Sequence, residues 1–202
     1  MDLREIVVVD IETTGLHPYE DEVWEVAAIK IHPPYTGEHP RDRDLVCRVW
    51  QLPINLDKVS DWVKENTGIV ERYNPWTPTP VPTFLRDFKK FVDGRHLAGN
   101  VVSFDAQRLE RLYLGNGYSF DELPWHYHLI DVEAVAIGAA SPKDHGRGFD
   151  LPWDSRQVSE HFAVTPPGDQ QIHQAYHDAL WAFNLLMATV GHTPRADFDR
   201  VH

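Results

Sequence analysis

The segment VVVDIETTGL, residues 7–16, limits the possible folds of this chain more than any other segment, because it joins a hydrophobic run to two acids. The valines predict a buried strand, yet the run leads into Asp10 and Glu12, one residue apart. Side chains in a strand alternate between two faces, so these two carboxylates share one face. They would repel each other and resist desolvation unless a cation lay between them. The alternative is that the strand ends at Val9 and both acids are solvated turn residues.

Two further acids occur far along the chain, each in a pattern that predicts a helix. Asp105 falls in the first turn of a helix predicted within LAGNVVSFDAQRLERL. An acid there favours the helix dipole and can cap the helix, so it needs no functional reason. Asp178, in HQAYHDALWAFNLL, shares a stripe of small and apolar residues that faces the core. An unpaired charge in that stripe is costly, although a solvent-facing boundary position is the alternative.

Together these acids form an oxygen-rich set from three distant parts of the chain. Hard divalent cations such as Mg²⁺ or Mn²⁺ prefer carboxylate ligands. Two such ions about 3.5–4 Å apart can clamp an in-line displacement at phosphorus, where one activates the water and the other stabilises the leaving oxygen. A histidine could accept the proton of that water near neutral pH. His173 lies five residues before Asp178, and His177 is a nearby competitor among 12 histidines.

Hydrophobic periodicity predicts strands first, and then strands in alternation with helices. The predicted strands lie at about 5–12, 23–31, 45–52 and 96–100, with another at the start of HLIDVEAVAIGAA. Helices are predicted within 57–73, from an N-cap at Thr83 to Gly94, at 103–114, after the last strand, within 155–164, and from His173 to Val190. This order indicates an α/β fold with a central mixed sheet flanked by helices. We expect one domain over residues 1–190 and a tail over 191–202.

Composition narrows the class of protein. Hydrophobic residues make up 42% of the 202 residues and charged residues 25%, as in ordinary globular proteins. One cysteine, Cys47, rules out an internal disulfide and a cysteine-based zinc site, and it favours a reducing, cytoplasmic compartment. We see no signal peptide and no apolar run near the roughly 20 residues that cross a bilayer, so no membrane partner is expected.

The net charge of −12 counts against a protein that coats duplex DNA or regulates transcription, since such proteins grip many phosphates and are usually basic. It does not exclude an enzyme that binds the end of a nucleic acid while metal ions supply the positive charge. Most of the tryptophans at 50, 62 and 76 are expected in the core, although they could contribute to a dimer surface. Both a monomer and a homodimer are therefore consistent with the sequence.

Three motifs in order, DIETTGL, FD at 104–105 and HQAYHD at 173–178, resemble the DEDDh 3′→5′ exonuclease family. That family includes the proofreading epsilon subunit of bacterial replicase, ribonuclease T and oligoribonuclease. Weaker similarities are WEVAAI, TGI at 67–69 and LID at 129–131, so the resemblance spans about residues 5–188. It implies a ribonuclease H-like fold and a hydrolase that releases nucleoside 5′-monophosphates from the 3′ end of a single strand.

The resemblance also implies a role for each motif residue. Asp10, Glu12, Asp105 and Asp178 would hold two divalent cations, Mg²⁺ or Mn²⁺, with Asp10 bridging both, and His173 would be the general base. Thr13, Thr14 and Leu16 would line the pocket for the terminal nucleotide, with Leu16 wedged against its base. Phe104 would stack on or support the next base. Ordinary core packing is the alternative for both Leu16 and Phe104.

One departure affects the substrate. DNA-directed members commonly have Asn four residues before the Asp of the second motif, whereas here Val101 holds that place and Asn100 precedes it. AGN is closer to oligoribonuclease, while ETTGL and FD favour the DNA enzymes. We expect single-stranded DNA as substrate, with short RNA as the alternative, and any polymerase or replication partner as a separate chain. Rival hypotheses are a non-catalytic binding or replisome-interaction module on the same fold, and a structural Mg²⁺ or Ca²⁺ site in an unrelated enzyme.

Overall fold

The computed structural model describes residues 2–31, 45–140, 149–169, 171 and 173–192. The strands of its sheet are β1 Ile6–Thr13, β2 Val23–Ile31, β3 Leu45–Gln51, β4 His96–Gly99 and β5 His126–Asp131. The α-helices are α1 Asp61–Asn66, α2 Ile69–Arg72, α3 Val81–Val92, α4 Val102–Gly115, α5 Val132–Ala140, α6 Ser155–His161 and α7 Ala175–Thr189. Short 3₁₀ turns occur at Leu3–Glu5, Leu56–Lys58 and Phe120–Glu122.

The five strands form one mixed sheet in the order β3-β2-β1-β4-β5. β1 pairs antiparallel with β2 and parallel with β4, while β3 and β5 extend the sheet on either side. One face, with Val8 and Ile29, packs against α7. The opposite face, with Val7 and Val9, packs against α3 and α4. This confirms the predicted α/β fold with a mixed sheet flanked by helices.

β1 does not end at Val9. Asp10 pairs with Ala27 and Glu12 pairs with Glu25, and the register shifts only between Glu12 and Thr13. The interpretation of the two acids as solvated turn residues is therefore wrong. Both acids belong to the central strand of the sheet.

Several predicted boundaries need correction. α3 begins at Val81 after Pro80, two residues before the predicted cap Thr83, because a proline at the second helical position suits a helix start. α7 begins at Ala175, so His173 precedes this helix. The predicted hairpin connection over 32–44 and residues 193–202 of the predicted tail lie outside the described residues.

The prediction for the tryptophans is wrong for two of the three. Trp50 is 7% exposed and packs its ring edge to face against Phe84. Trp62 is 54% exposed and Trp76 is 90% exposed. Among the described residues, no helix is long and apolar enough to cross a membrane.

Candidate active site

The first two acids are set in place by the centre of the sheet. Asp10 is half-buried, and Glu12 is only 8% exposed. β4 approaches the same strand closely, since a Cβ atom added to Gly99 would lie 2.7 Å from the carbonyl oxygen of Val9. This contact brings the chain that leaves β4 next to the acids.

The third acid, Asp105, joins α4 to β1. Its Oδ1 accepts a hydrogen bond from the backbone N–H of Ile11 at 3.0 Å, and the residue is 3% exposed. The N-cap of α4 is Val101, and no side chain among the described residues caps it. Asp105 is therefore not the cap of its own helix, and its carboxylate lies beside the acids of β1.

The fourth acid and the histidine come from the start of α7. Asp178 Oδ2 accepts a hydrogen bond from the backbone N–H of His173 at 2.8 Å. Asp178 Oδ1 is buried and has no hydrogen-bond partner among the described residues. The backbone of His173 has a φ of 62°, and its ring lies edge to face with Trp62 at 5.6 Å between centroids.

These residues meet in one cavity of about 290 Å³. Ligand atoms of Glu12, His173 and Asp178 all lie within 4.8 Å of one another. Asp10 and Asp105 line the same cavity, so all five residues of the three motifs come together. The competing His177 does not line it.

Burial favours the protonated forms of all four acids, and repulsion between the acids adds to this effect at Asp10 and Glu12. The pKa of Asp10 is raised well above its ordinary value, first by burial and then by repulsion from Asp105 and Asp178. Burial is also the main cause that raises the pKa of Glu12 to about 8, that of Asp105 to about 8 and that of Asp178 to about 6. Burial lowers the pKa of His173, so its ring is neutral at pH 7. The protein thus compensates the ionised form of the site only in part, through Arg72 at Glu12 and Asp178 and through Arg108 at Asp105.

The donor set fits divalent cations. Buried carboxylates that raise one another's pKa are the groups that a hard cation stabilises best. The orphaned Oδ1 of Asp178 is a second sign, because buried polar atoms ordinarily have a partner. Glu12, Asp178, Asp10 and Asp105 are the residues that would hold such ions.

The predicted substrate residues divide into two groups. Thr13, Leu16 and Phe104 line the cavity. Leu16 is 73% exposed, which excludes core packing, whereas Phe104 also packs against the core beneath α4. Thr14 lies outside the cavity and is 1% exposed, because its Oγ1 accepts a hydrogen bond from the backbone N–H of Glu22 at 2.9 Å.

The turn that carries Leu16 is fixed from α4. Arg108 Nη2 donates to the carbonyl oxygen of Leu16 at 2.8 Å, and its guanidinium lies 3.2 Å from the centroid of the Phe104 ring. Arg111 Nη1 donates to the carbonyl oxygen of Pro18 at 2.7 Å. One helix therefore holds both Phe104 and the backbone beside Leu16.

Sequence reasoning missed Trp62 and Glu25 as residues near the site, and it related Asn100 and Val101 to the substrate without placing them in the cavity. Trp62, Asn100 and Val101 line the cavity, and Glu25 lies directly opposite Glu12 across β1 and β2. The WEVAAI segment showed an acid in a strand, but the pairing register was needed to place it. Asn100 and Val101 are the two residues at which the second motif departs from the DNA-directed pattern, so that departure falls within the cavity itself.

Comparisons with known proteins identify the family and the fold of the chain. The sequence profile of a family described as exonuclease matches residues 7–186. No curated protein sequence matches the chain significantly. The fold is similar to E. coli exonuclease I in complex with a dT13 oligonucleotide, with a TM-score of 0.65 and 17% identity over 92% of this chain and 40% of that one.

Two other structures give the same result. The zinc-bound form of the E. coli exonuclease I complex with single-stranded DNA has a TM-score of 0.61 and 17% identity, over 92% of this chain and 41% of that one. Exonuclease I from Methylocaldum szegediense has a TM-score of 0.61 and 16% identity, over 90% of this chain and 40% of that one. The chain thus spans about two fifths of the length of these structures.

Proposed function

This chain belongs to the exonuclease family, as its three motifs predicted, and on that premise we propose that it is a metal-dependent 3′→5′ exonuclease. It would hydrolyse phosphodiester bonds at the 3′ end of single-stranded DNA and release nucleoside 5′-monophosphates. The observation that carries this proposal is the convergence of Asp10, Glu12, Asp105, Asp178 and His173 on one cavity. A non-catalytic module or a structural metal site would not need all five.

The four carboxylates would hold two divalent cations, Mg²⁺ or Mn²⁺. Such ions supply positive charge for the attacking water and for the leaving oxygen. His173 would accept the proton of that water at a ring nitrogen. Its lowered pKa supports this role, because a neutral imidazole is the form that can take a proton.

The cavity supports a single terminal nucleotide as the bound group. Its volume of about 290 Å³ is small, and its mouth carries the exposed side chains of Leu16, Trp62 and Val101. Leu16 would wedge against the terminal base, and Thr13 would face the same nucleotide. Phe104 would support the next base, since stacking tolerates any sequence. A paired strand cannot enter such a site without first opening, so single strands are preferred.

DNA is the substrate that we favour. E. coli exonuclease I, which shares this fold, has been solved with single-stranded DNA. Short RNA is the second candidate, because Asn100 in the cavity belongs to an AGN segment similar to that of oligoribonuclease. We place the enzyme in the cytoplasm, as a monomer or homodimer that meets any polymerase or replication protein as a separate chain.

The test is a time course on 5′-labelled single-stranded DNA, duplex DNA and short RNA, each with Mg²⁺ or with EDTA. We expect a ladder of products that shortens from the 3′ end, fastest on single-stranded DNA and absent in EDTA. Internal cleavage, or cleavage that persists in EDTA, would refute the proposal. Faster shortening of RNA than of DNA from the 3′ end would be consistent with the same mechanism but would identify RNA as the preferred substrate.

A further inference from the structure

Glu25 is a fifth buried acid beside the site, and it is fully engaged by the protein. It lies directly opposite Glu12 and is 5% exposed. Its Oε1 accepts a hydrogen bond from Gln51 Nε2 at 3.3 Å. Its Oε2 forms an ion pair with Arg72 Nη2 and accepts the backbone N–H of Ala175 at 3.2 Å. Because protein groups bind both of its carboxylate oxygens, Glu25 supports its neighbours.

Arg72 connects that acid to the histidine segment. Its Nη1 donates to the carbonyl oxygen of Thr67 at 2.9 Å and to that of His173 at 2.9 Å. Its guanidinium also lies over the ring of Trp24, 4.8 Å from the centroid. One side chain at the end of α2 therefore joins β2, the end of α1 and the backbone that precedes α7.

The backbone of His173 needs this support. A φ of 62° is uncommon for a residue other than glycine, and it persists only where surrounding contacts enforce it. Here the N–H of His173 is held by Asp178, and its carbonyl oxygen is held by Arg72. Two residues later, the backbone N–H of Ala175 donates a hydrogen bond to Glu25. The ring of His173 leaves this fixed backbone toward the cavity wall at Trp62.

We propose that Glu25 and Arg72 form a positioning device, which sets the backbone of His173 so that its ring meets the water bound at the acids. The inference rests on the proposed function, because it assigns His173 as the base. The guanidinium is essential to this device, since one rigid group reaches Glu25, Thr67 and His173 at once. A lysine carries the same charge but presents no planar fork that could span three acceptors.

A purely electrostatic role for Arg72 predicts a different outcome. Its positive charge opposes the raised pKa values of Glu12 and Asp178. If that charge were its only contribution, Arg72→Lys would behave as wild type, and Arg72→Met would mainly change the Mg²⁺ concentration needed for activity. A positioning role instead predicts that Arg72→Lys and Arg72→Met both lose nuclease activity, and by a similar factor.

The kinetic test compares Arg72→Lys, Arg72→Met and Glu25→Gln at saturating Mg²⁺ on a 5′-labelled single strand. We expect kcat to fall by about 10- to 100-fold in both Arg72 variants, because displacements near 1 Å cost rates of that order. KM should stay within about twofold, since the displaced group is not a binding group. Arg86→Met is the matched control, because Arg86 pairs with Asp87 on the surface, and it should keep the wild-type kcat. Wild-type kcat in Arg72→Lys would overturn the proposal.

The second test, amide hydrogen exchange, does not depend on nuclease activity. In metal-free protein, we expect the amide hydrogens of His173 and Ala175 to exchange at least about tenfold faster in the Arg72 variants than in wild type, while that of Ile11 is unchanged. An unchanged exchange rate of the His173 amide in the Arg72 variants would refute the positioning role of Glu25 and Arg72. If Arg72→Met fails to fold, Arg72→Lys and Glu25→Gln answer both tests. A wild-type chain without nuclease activity would refute the proposed function. The exchange result would still show whether Glu25 and Arg72 fix the backbone of His173.

Discussion

At the scale of single residues, the choice of histidine is directly testable. His173 lies with Glu12 and Asp178 inside a 4.8 Å cluster of ligand atoms, whereas His177 is outside the cavity. His173→Ala should lower kcat by about 10²- to 10⁴-fold, the usual contribution of a general base. His177→Ala is the matched control and should leave kcat near that of wild type. A large loss in the control with little loss in His173→Ala would show that the base was assigned wrongly.

Leu16 provides a second residue-scale prediction, on binding. Its side chain is 73% exposed at the cavity, although leucine exposed in this way gains nothing for folding. Leu16→Ala should raise KM for single-stranded DNA by about tenfold, since it removes apolar contact worth about 1–2 kcal/mol with the terminal base. Leu114→Ala, at a leucine that is 41% exposed and distant from the cavity, should not change KM. Equal KM values in the two variants would remove Leu16 from the binding site.

Thr14 shows where reasoning from a motif stops at this scale. Thr13 and Thr14 are adjacent and chemically alike, and the family resemblance assigned both to the nucleotide pocket. The pairing register of β1 with β2 shifts just before Thr13, and Thr13 lines the cavity while Thr14 closes the turn through Glu22. A pattern of residue types cannot reveal such a local change of register.

At the scale of elements, the site depends on how closely β4 lies against β1. Gly99→Ala would place a Cβ atom 2.7 Å from the Val9 carbonyl oxygen, which must move. We expect a loss of about 1–3 kcal/mol in the free energy of unfolding, or roughly 2–4 °C in thermal midpoint for each kcal/mol. kcat should fall as well, because the same displacement shifts Asp105 relative to Asp10.

Gly138→Ala is the control for this prediction. Gly138 lies within α5, and no described atom other than its chain neighbours and the helix backbone comes within 4 Å of an added Cβ. Alanine is favoured over glycine inside a helix, so the thermal midpoint should stay equal or rise. If Gly99→Ala behaves like this control, the close approach of β4 to β1 does not determine the site.

Elements were predicted well where the hydrophobic period was strong. β2 has the predicted bounds, and the helix predicted after it within 83–94 is present as α3, with Phe84, Leu85 and Phe88 buried. Starts of helices were predicted less well. α7 begins two residues after His173 because the backbone there is in the left-handed region, which helical periodicity does not encode.

At the scale of the whole molecule, the four acids make stability depend on pH. The folded pKa values of Glu12 and Asp105, about 8, exceed their ordinary values of 4.5 and 3.8, so the folded chain binds more protons than the unfolded chain between these limits. Stability of the metal-free protein should therefore fall as pH rises from about 5 to 8. Mg²⁺ should reduce this fall, because it stabilises the ionised acids.

Thermal midpoints in EDTA and in excess Mg²⁺ across this pH range check the prediction. Asp105→Asn should flatten the EDTA curve, because its amide oxygen can still accept from the Ile11 N–H but does not ionise. A midpoint in EDTA that rises steadily from about pH 5 to pH 8 would contradict the raised pKa values of the buried acids.

The overall architecture and the five motif residues were predictable because each acid breaks an apolar pattern, and the family resemblance joins the three segments. The pair of Glu25 and Arg72 was not predictable. These residues lie 47 positions apart and meet only through the pairing of β2 and the chain after α1. Glu25 is visible as an acid within the apolar strand WEVAAI, but nothing in the sequence pairs it with Arg72, which follows an ordinary surface pattern.

The central claim is that acids from separate segments form one hydrolytic site, and Asp178→Asn tests it most directly. The measurement is the single-turnover rate of hydrolysis of a 5′-labelled single strand in saturating Mg²⁺, with Asp121→Asn as the control on an exposed turn. We predict that Asp178→Asn hydrolyses no faster than wild type in EDTA, while Asp121→Asn keeps the wild-type rate and both variants fold. A wild-type rate in folded Asp178→Asn would contradict the account.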